Sequence, residues 1–280
     1  MDNFINNLID LAFNEDIGEG DHTTLCSIPD SAIGKASLVI KEAGILAGVE
    51  VAIKVFHKLD SQLKVDVLIK DGSSVKPGDV VFTVEGKVQS ILQTERIMLN
   101  IMQRMSGVAT ATNKYVALIA GTGAKVLDTR KTTPGMRMLE KQAVKLGGGE
   151  NHRIGLFDMI LLKDNHIDFA GGIENAIAGA NNYLKGKKKS LKIEIEVRNM
   201  DELNEVLRVG NVDRVMLDNF TPEATKEAVK LVNGRVELES SGGITSDTIR
   251  SYAETGVDYI SVGALTHSVK GLDMSLLATM

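Results

Sequence analysis

There is no tryptophan in these 280 residues, aromatic side chains make up only 4%, and cysteine occurs once, at Cys26. So few aromatic rings leave little from which to build a base-stacking nucleic-acid surface. One cysteine excludes an intrachain disulfide framework and a cysteine-rich metal site, and it fits a reducing, cytoplasmic setting. Net positive charge is missing too. The formal charge is −5 and the pI about 5.6, which argues against a general binder of nucleic acid or of membrane surfaces. No apolar run approaches the roughly 18 residues that would read as a membrane-spanning helix. The opening Met1-Asp2-Asn3-Phe4 is acidic and lacks the basic stretch that begins a secretory signal. What the chain has is 43% apolar residues, enough for a substantial core in one large domain or two smaller ones. Any cationic site in so acidic a chain is a local concentration of charge, which suits a small anion better than a polyanion.

The first hundred residues read as α+β. Phe4, Ile5, Leu8, Ile9 and Ala12 have helical spacing. Glu15 to Thr24 is acidic and reads as a metal loop or, more simply, as a surface loop in which Asp21 or Thr23 caps nearby amides. Strands are expected over Lys35–Lys41, Leu63–Lys70 and Val80–Val84, with a helix over Val49–Leu59 and turns at Asp71-Gly72 and Lys76–Asp79. From Val88 to Met105 an apolar stripe rich in methionine marks a core-facing helix. Ser106-Gly107 reads as a break before a second helix, Val108–Ala120. The domain boundary is placed there, giving an N-terminal α+β sandwich over 1–108, an α/β domain over 109–265, and a tail over 266–280 that packs back on the first domain.

After Gly123 apolar runs alternate with helical segments. The runs are Lys125–Leu127, Met159–Leu162, Lys192–Val197, Arg214–Leu217, Val236–Leu238 and Tyr259–Val262. The helices between them include Met136–Leu146, Gly172–Tyr183, Met200–Val209, Pro222–Val232 and Ser246–Thr255. This alternation predicts parallel βαβ units, as in a (β/α) barrel or a doubly wound sheet.

Polar residues follow every run. They are Asp128-Thr129-Arg130-Lys131, Lys163-Asp164-Asn165-His166, Glu196 at the exit of K-I-E-I-E-V, Asp218-Asn219, Ser240-Ser241-Gly242-Gly243, and Gly263 with His267 beyond. In a parallel sheet these all fall at the C-terminal edge, the catalytic edge of barrels. A Gly-Gly-Gly turn also delivers Asn151-His152-Arg153. Arg130, Lys131, His152, Arg153 and Lys163 therefore converge as a cationic set suited to carboxylates or phosphates. Ser241-Gly242-Gly243 ahead of a helix, with Ser261-Val262-Gly263 on the next strand, reads as a late-strand phosphate cradle. Glu196 and Asp218 suit ribose hydroxyls, directly or through Mg²⁺. Each has a plainer explanation: Glu194 and Glu196 fit a solvent-facing edge strand, and Asp218 fits a helix cap. Thr221 before Pro222 is the better placed cap, however, which frees Asp218.

Eight segments carry a family resemblance: E-D-I-G-E-G-D-H-T-T (15–24), E-R-I-M-L-N-I-M-Q-R-M-S-G-V-A-T (95–110), D-T-R-K-T-T-P-G-M-R (128–137), G-G-G-E-N-H-R-I-G-L (147–156), L-K-D-N-H (162–166), L-D-N-F (217–220), E-S-S-G-G-I-T (239–245) and S-V-G-A-L-T-H-S (261–268). On them the chain resembles the bacterial quinolinate phosphoribosyltransferase family, the carboxylating nicotinate-nucleotide pyrophosphorylases. That resemblance implies an open C-terminal α/β barrel of six or seven strands behind the N-terminal sandwich. It also implies a homodimer in which Arg96 serves the neighbouring active site, although on sequence alone Arg96 is a solvated helix charge. Quinolinate's carboxylates then fall to Thr129, Arg130, Lys131, His152, Arg153 and Lys163. Phosphoribosyl pyrophosphate falls to Glu196, Asp218, Ser241, Gly242, Gly243, Ser261, Val262, Gly263 and His267, with Mg²⁺ at Glu196 and Asp218. Lys131, Glu196 and Asp218 are the implied catalytic residues. Two other readings stand beside it: a related phosphoribosyltransferase with another substrate, against which the cationic Lys163–His166 motif argues, and a non-catalytic sugar-phosphate binder, which has no need of both Glu196 and Asp218.

Overall fold

A computed structural model describes residues 2–279. In chain order the elements are α1 (Asp2–Asp16), α2 (His22–Ser27), β1 (Ile33–Ile40), β2 (Gly44–Ile45), α3 (Val49–Leu59), β3 (Lys64–Val67), β4 (Ser74–Val75), β5 (Val80–Lys87) and α4 (Val88–Leu118). There follow β6 (Lys125–Leu127), α5 (Arg137–Leu146), β7 (Ile160–Leu162), α6 (Asp164–Ala170), α7 (Ile173–Lys187), β8 (Ile193–Val197), α8 (Met200–Val209) and β9 (Arg214–Asp218). The last are α9 (Pro222–Val232), β10 (Glu237–Ser241), α10 (Ile249–Ala253), β11 (Tyr259–Ser261), α11 (Ala264–His267) and β12 (Met274–Thr279).

Contacts divide the chain into two compact units. The first comprises the chain up to Asn113, Thr132–Gly148, and the chain from Leu265 on; the second is Lys114–Lys131 with Gly149–Ala264. The division falls inside α4, and α5, which the strand–helix alternation assigns to the later domain, groups with the first unit.

The first unit is built on an antiparallel sheet in the order β12-β1-β5-β3. The C-terminal strand pairs along β1 from Lys35–Thr279 to Ile40–Met274. Alternation in β1 buries Ala36, Leu38 and Ile40 on one face. Phe56 of α3 and Phe82 of β5 meet edge to face at 5.8 Å. The methionine stripe of α4 is core: Met98, Met102 and Met105 are fully buried. Asp21 accepts a bond from the Thr24 amide at 3.0 Å and caps α2, a short helix that the loop reading overlooked. The Thr24 side chain, and after it this amide bond, hold its carboxyl below the usual carboxylate range, so Asp21 acts as the cap that the loop reading offered.

Ser106-Gly107 does not break α4, which runs 31 residues without interruption. The Ser106 hydroxyl is buried and accepts from the Ala47 amide at 2.9 Å. Gly107 lets another strand of backbone approach: a Cβ there would stand 2.3 Å from the carbonyl oxygen of Lys270. These are packing residues that resemble a helix terminator. Helix propensity alone would have Gly107→Ala stabilise by about 1 kcal/mol, whereas overpacking against rigid backbone costs about 1–3 kcal/mol or more. The expected net result is a lower denaturant midpoint for Gly107→Ala, and a raised midpoint would contradict the close-approach explanation.

The second unit is a six-stranded parallel sheet in the order β6-β11-β10-β9-β8-β7. Its two ends, β6 and β7, do not pair with each other, so the sheet is open and no closed barrel forms among the described residues. Ile193, Ile195 and Val197 of β8 lie buried on one face, along with Leu203 and Val206 of α8. Thr221 caps α9 through the Ala224 amide, with Pro222 at its first turn. No described helix is long and apolar enough to cross a membrane.

Candidate active site

Parallel register sorts the polar residues of the second unit onto one face. Leu161 aligns with Glu194, Glu194 with Arg214, and Arg214 with Glu237. One step along, Glu196 aligns with Met216, Met216 with Glu239, Glu239 with Tyr259, and Tyr259 with Lys125. Asp218 aligns with Ser241 beyond that. The period of two places all of these on the side opposite the Ile193–Ile195–Val197 face. β8 lies between β9 and β7 and every one of its residues is buried, so the edge-strand explanation of Glu194 and Glu196 falls.

At the exit of β6 the organiser is Asp128, which the sequence reading left without a role. It is fully buried. Its Oδ1 accepts from the His152 amide at 2.9 Å and its Oδ2 from the Asn151 side chain at 2.6 Å. A parallel bridge between Leu127 and Glu150 brings the Gly-Gly-Gly turn alongside. Arg130 and Arg153 thereby come close enough that each charge opposes the other. The Arg153 guanidinium is pushed below its ordinary value, first by burial and then by Arg130. Two arginines held against mutual repulsion leave the place ready for an anion. Arg153 also donates to the Met159 carbonyl at 3.2 Å. Lys131 is exposed, and its amide bonds to the Thr129 hydroxyl at 3.1 Å.

Lys163 and Glu196 meet each other: Nζ lies 2.9 Å from Oε2. Before any ligand arrives, the cation assigned to the pyridine acid and the carboxylate assigned to the ribose form a pair. Lys163 also precedes α6, where its amide donates to His166 Nδ1 at 3.1 Å, so His166 serves the helix start. Asp218 is the last residue of β9 and accepts from the Asn219 side chain at 2.8 Å.

The expected phosphate cradle is only partly as anticipated. β10 extends through Ser241, and α10 does not begin until Ile249, so Gly242-Gly243 is a turn and not a helix start. Both glycines have positive φ, 100° and 60°. A Cβ on Gly242 would fall 2.3 Å from Asn219 Oδ1, so only glycine brings this backbone so close to the β9 exit. Ser261 and Val262 belong to the sheet: both are buried, and the Val262 amide bonds to the Leu127 carbonyl at 3.0 Å. That leaves Gly263 as the residue of this strand at the edge. Arg96 is exposed on α4, and His267, also exposed, has its Nδ1 2.6 Å from the Ser268 hydroxyl; both lie in the first unit.

His152 is the largest departure. Its side chain is buried, with Nε2 2.9 Å from Glu194 Oε2 and 3.5 Å from Glu239 Oε2. Glu239 in turn accepts from Arg214 at 3.1 Å, and that guanidinium lies over the Tyr259 ring at 3.9 Å. Spacing alone would let His152, Glu194 and Glu239 hold a metal ion. Arg214 already supplies positive charge to Glu239, which makes a further cation unnecessary. Glu239 and Arg214 went unnoticed in the sequence, although V-E-L-E-S-S repeats the alternation of I-E-I-E-V one strand away.

Burial, and after it the neighbouring Glu194 charge, push the Glu239 carboxyl up to about 8 against the pull of His152 and Arg214. Burial also pushes Glu194 up to about 7. A carboxyl whose folded value is raised holds its proton more tightly in the folded chain. Its contribution to stability is whole below the unfolded value near 4.5 and is lost as pH rises toward 8. Wild-type stability is therefore expected to fall relative to Glu239→Gln between about pH 5 and 8.5, since glutamine mimics the protonated acid. Thermal midpoints across that window check it; a constant difference would be inconsistent with a raised Glu239.

Comparison with known proteins agrees with this geometry. Residues 21–106 match the family profile "Quinolinate phosphoribosyl transferase, N-terminal domain", and residues 108–277 match the corresponding C-terminal domain. A relative from Oryza sativa, named nicotinate-nucleotide pyrophosphorylase [carboxylating], chloroplastic, is 44% identical over 96% of this chain and 76% of its own length. A Bacillus subtilis relative, described as a probable nicotinate-nucleotide pyrophosphorylase [carboxylating], is 40% identical over 98% of this chain and 93% of its own. The solved structure of the nicotinate-nucleotide pyrophosphorylase from Francisella tularensis superposes with a TM-score of 0.94 at 42% identity, covering 100% of this chain and 97% of that one. With both domains matched and the parallel sheet presenting its cations at one edge, the chain belongs to the quinolinate phosphoribosyltransferase family.

Proposed function

We propose that this protein joins quinolinate to phosphoribosyl pyrophosphate and releases nicotinate mononucleotide, pyrophosphate and CO₂, a step of NAD biosynthesis. The observation that carries the reading is the crowding of Arg130 against Arg153, beside Lys131 and within the same unit as the Lys163–Glu196 pair. A planar dicarboxylate satisfies such a set where a single carboxylate leaves a cation without a partner. Thr129, Arg130, Lys131, Arg153 and Lys163 take the pyridine acid, joined by Arg96 from a second copy of the chain in a homodimer. The ribose goes to Glu196 and Asp218, and the phosphate to Ser241, Gly242, Gly243 and Gly263.

Glu196 and Asp218 are hard oxygen donors on neighbouring strands, and they fit Mg²⁺ that keeps most of its ligands from substrate and water. When bound, the ion neutralises the departing pyrophosphate. The two carboxylates stabilise positive charge developing at the ribose C1 as the pyridine nitrogen attacks. Once that nitrogen is quaternary, the adjacent carboxylate leaves as CO₂, because the electron pair left on the ring carbon lies next to a positive centre. Arg130 and Arg153 hold the ring in place for both events. The lone exposed Cys26 suits a reducing compartment, which we take to be the cytoplasm.

Ligand discrimination tests the substrate class. Nicotinate lacks the second carboxylate and leaves a cation unpaired, so it should bind about ten- to a hundredfold more weakly than quinolinate. Equal affinities by titration calorimetry would point to a phosphoribosyltransferase with another substrate.

A further inference from the structure

His152 was expected to contact the substrate, yet its ring is buried, with Nδ1 hydrogen-bonded within the protein and Nε2 set close against two carboxylates. Nδ1 accepts the Arg153 backbone N–H at 2.7 Å, so Nδ1 carries no proton and the ring proton sits on Nε2. Nε2 faces inward to Glu194 at 2.9 Å and Glu239 at 3.5 Å. Behind them Arg214 grips Glu239 at 3.1 Å and Glu237 at 3.2 Å, and stacks on Tyr259. Glu194 and Glu239 are fully buried, and Arg214 nearly so. A chain of contacts thus runs from the floor of the sheet, through the His152 ring, to the backbone of Arg153. Two buried carboxylates are costly in a sheet interior, and nothing in the transfer reaction itself calls for them there.

We infer that Glu194, Glu239 and Arg214 are positioning residues that lock the His152 ring as a strut, and through it set Arg153 for the substrate's carboxylate. The inference rests on the reading of Arg153 as a quinolinate contact, and it gives His152 a different role from the one its place in the sequence implies. The Arg153 amide fixes the tautomer, and the buried acids packed against Nε2 fix the tilt of the ring. The ring then fixes the Arg153 backbone, whose amide is tied to Nδ1, while Asp128 holds the His152 amide from the other side. This is the arrangement by which outer partners orient an inner ligand, here for an arginine in place of a metal.

Two measurements test it. The first is long-range nitrogen–proton NMR of the imidazoles in the whole protein, which contains five histidines, with His152→Gln identifying the resonance. The expected result is an Nε2–H tautomer for His152 in the wild type, with the Nε2 resonance displaced in Glu194→Leu, which removes the carboxyl beside it. An Nδ1–H tautomer in the wild type would overturn the inference. The second is a double-mutant cycle read as ligand affinity. Glu239→Leu, which removes the carboxyl in either protonation state, should weaken quinolinate about tenfold while changing phosphoribosyl pyrophosphate affinity by less than about twofold. In an Arg153→Lys background the same change should do much less, because the strut then supports a side chain that no longer fits. Effects that multiply independently, or equal losses for both ligands, would mean the cluster only holds the fold together. Arg214→Lys, which keeps the charge but not the fork, stands in if Glu239→Leu does not fold. A wild-type protein that shows the Nε2–H tautomer but binds no quinolinate would overturn the substrate reading and, with it, the purpose assigned to the strut, while leaving the His152 anchoring intact.

Discussion

Arg130→Ala is expected to weaken quinolinate binding by about 3–5 kcal/mol, the usual cost of removing one partner from a desolvated charge pair, or roughly two to three and a half orders of magnitude in Kd. Arg153→Ala should behave alike. The loss in Arg130→Ala should not come with a loss of folding. Arg130 is exposed and its charge opposes that of Arg153, so Arg130→Ala should stay within about 0.5 kcal/mol of wild-type stability, whereas Arg153→Ala also gives up the bond to the Met159 carbonyl. This combination of weaker binding and undiminished stability separates a binding cation from a structural one. Calorimetric titration with quinolinate, beside a thermal melt of the same sample, reads both. Unchanged quinolinate affinity in Arg130→Ala would remove the arginine pair from the site.

A second large effect concerns Arg96. It stands exposed on α4 in the first unit, and we assign it to the active site of a second copy. Arg96→Ala and Arg130→Ala homodimers should each lose most activity, on the order of a hundredfold or more. Co-expression under two affinity tags yields the mixed dimer. One of its two sites then combines an intact Arg130 with an intact Arg96, and the other lacks both. By symmetry the mixed dimer should recover about half of wild-type turnover. If the mixed dimer is as inactive as its parents, Arg96 does not act across an interface.

The strands, their order of chemistry and the parallel sheet were legible because burial imposes a local rule, while the openness of the sheet was implied only by the family resemblance. A run such as Ile193–Val197 has to alternate two faces, and residues that would be costly inside the sheet cluster where the strand ends. Thr221 and Pro222 announced a helix start by cap chemistry alone, as the structure shows. Less was legible where a residue's meaning depends on a distant partner. Gly107 looks like a helix break, and only the Lys270 carbonyl across from it explains the glycine. Ser261 and Val262 looked like cradle residues by proximity to Gly263, but the sheet claims them. His152 carries the right chemistry for an anion, while its direction is set by Glu194 and Glu239 from two other strands. A reading of spacing finds which residues share an edge; which way a side chain turns is decided by partners it cannot see.

The most direct test of the whole account is turnover of quinolinate labelled with carbon-13 in its 2-carboxylate, supplied with phosphoribosyl pyrophosphate and Mg²⁺. The account predicts labelled CO₂ and nicotinate mononucleotide appearing in equal amounts, with nicotinate giving neither CO₂ nor comparable nucleotide. Mononucleotide formed preferentially from nicotinate, or quinolinate bound without any release of labelled CO₂, would contradict it.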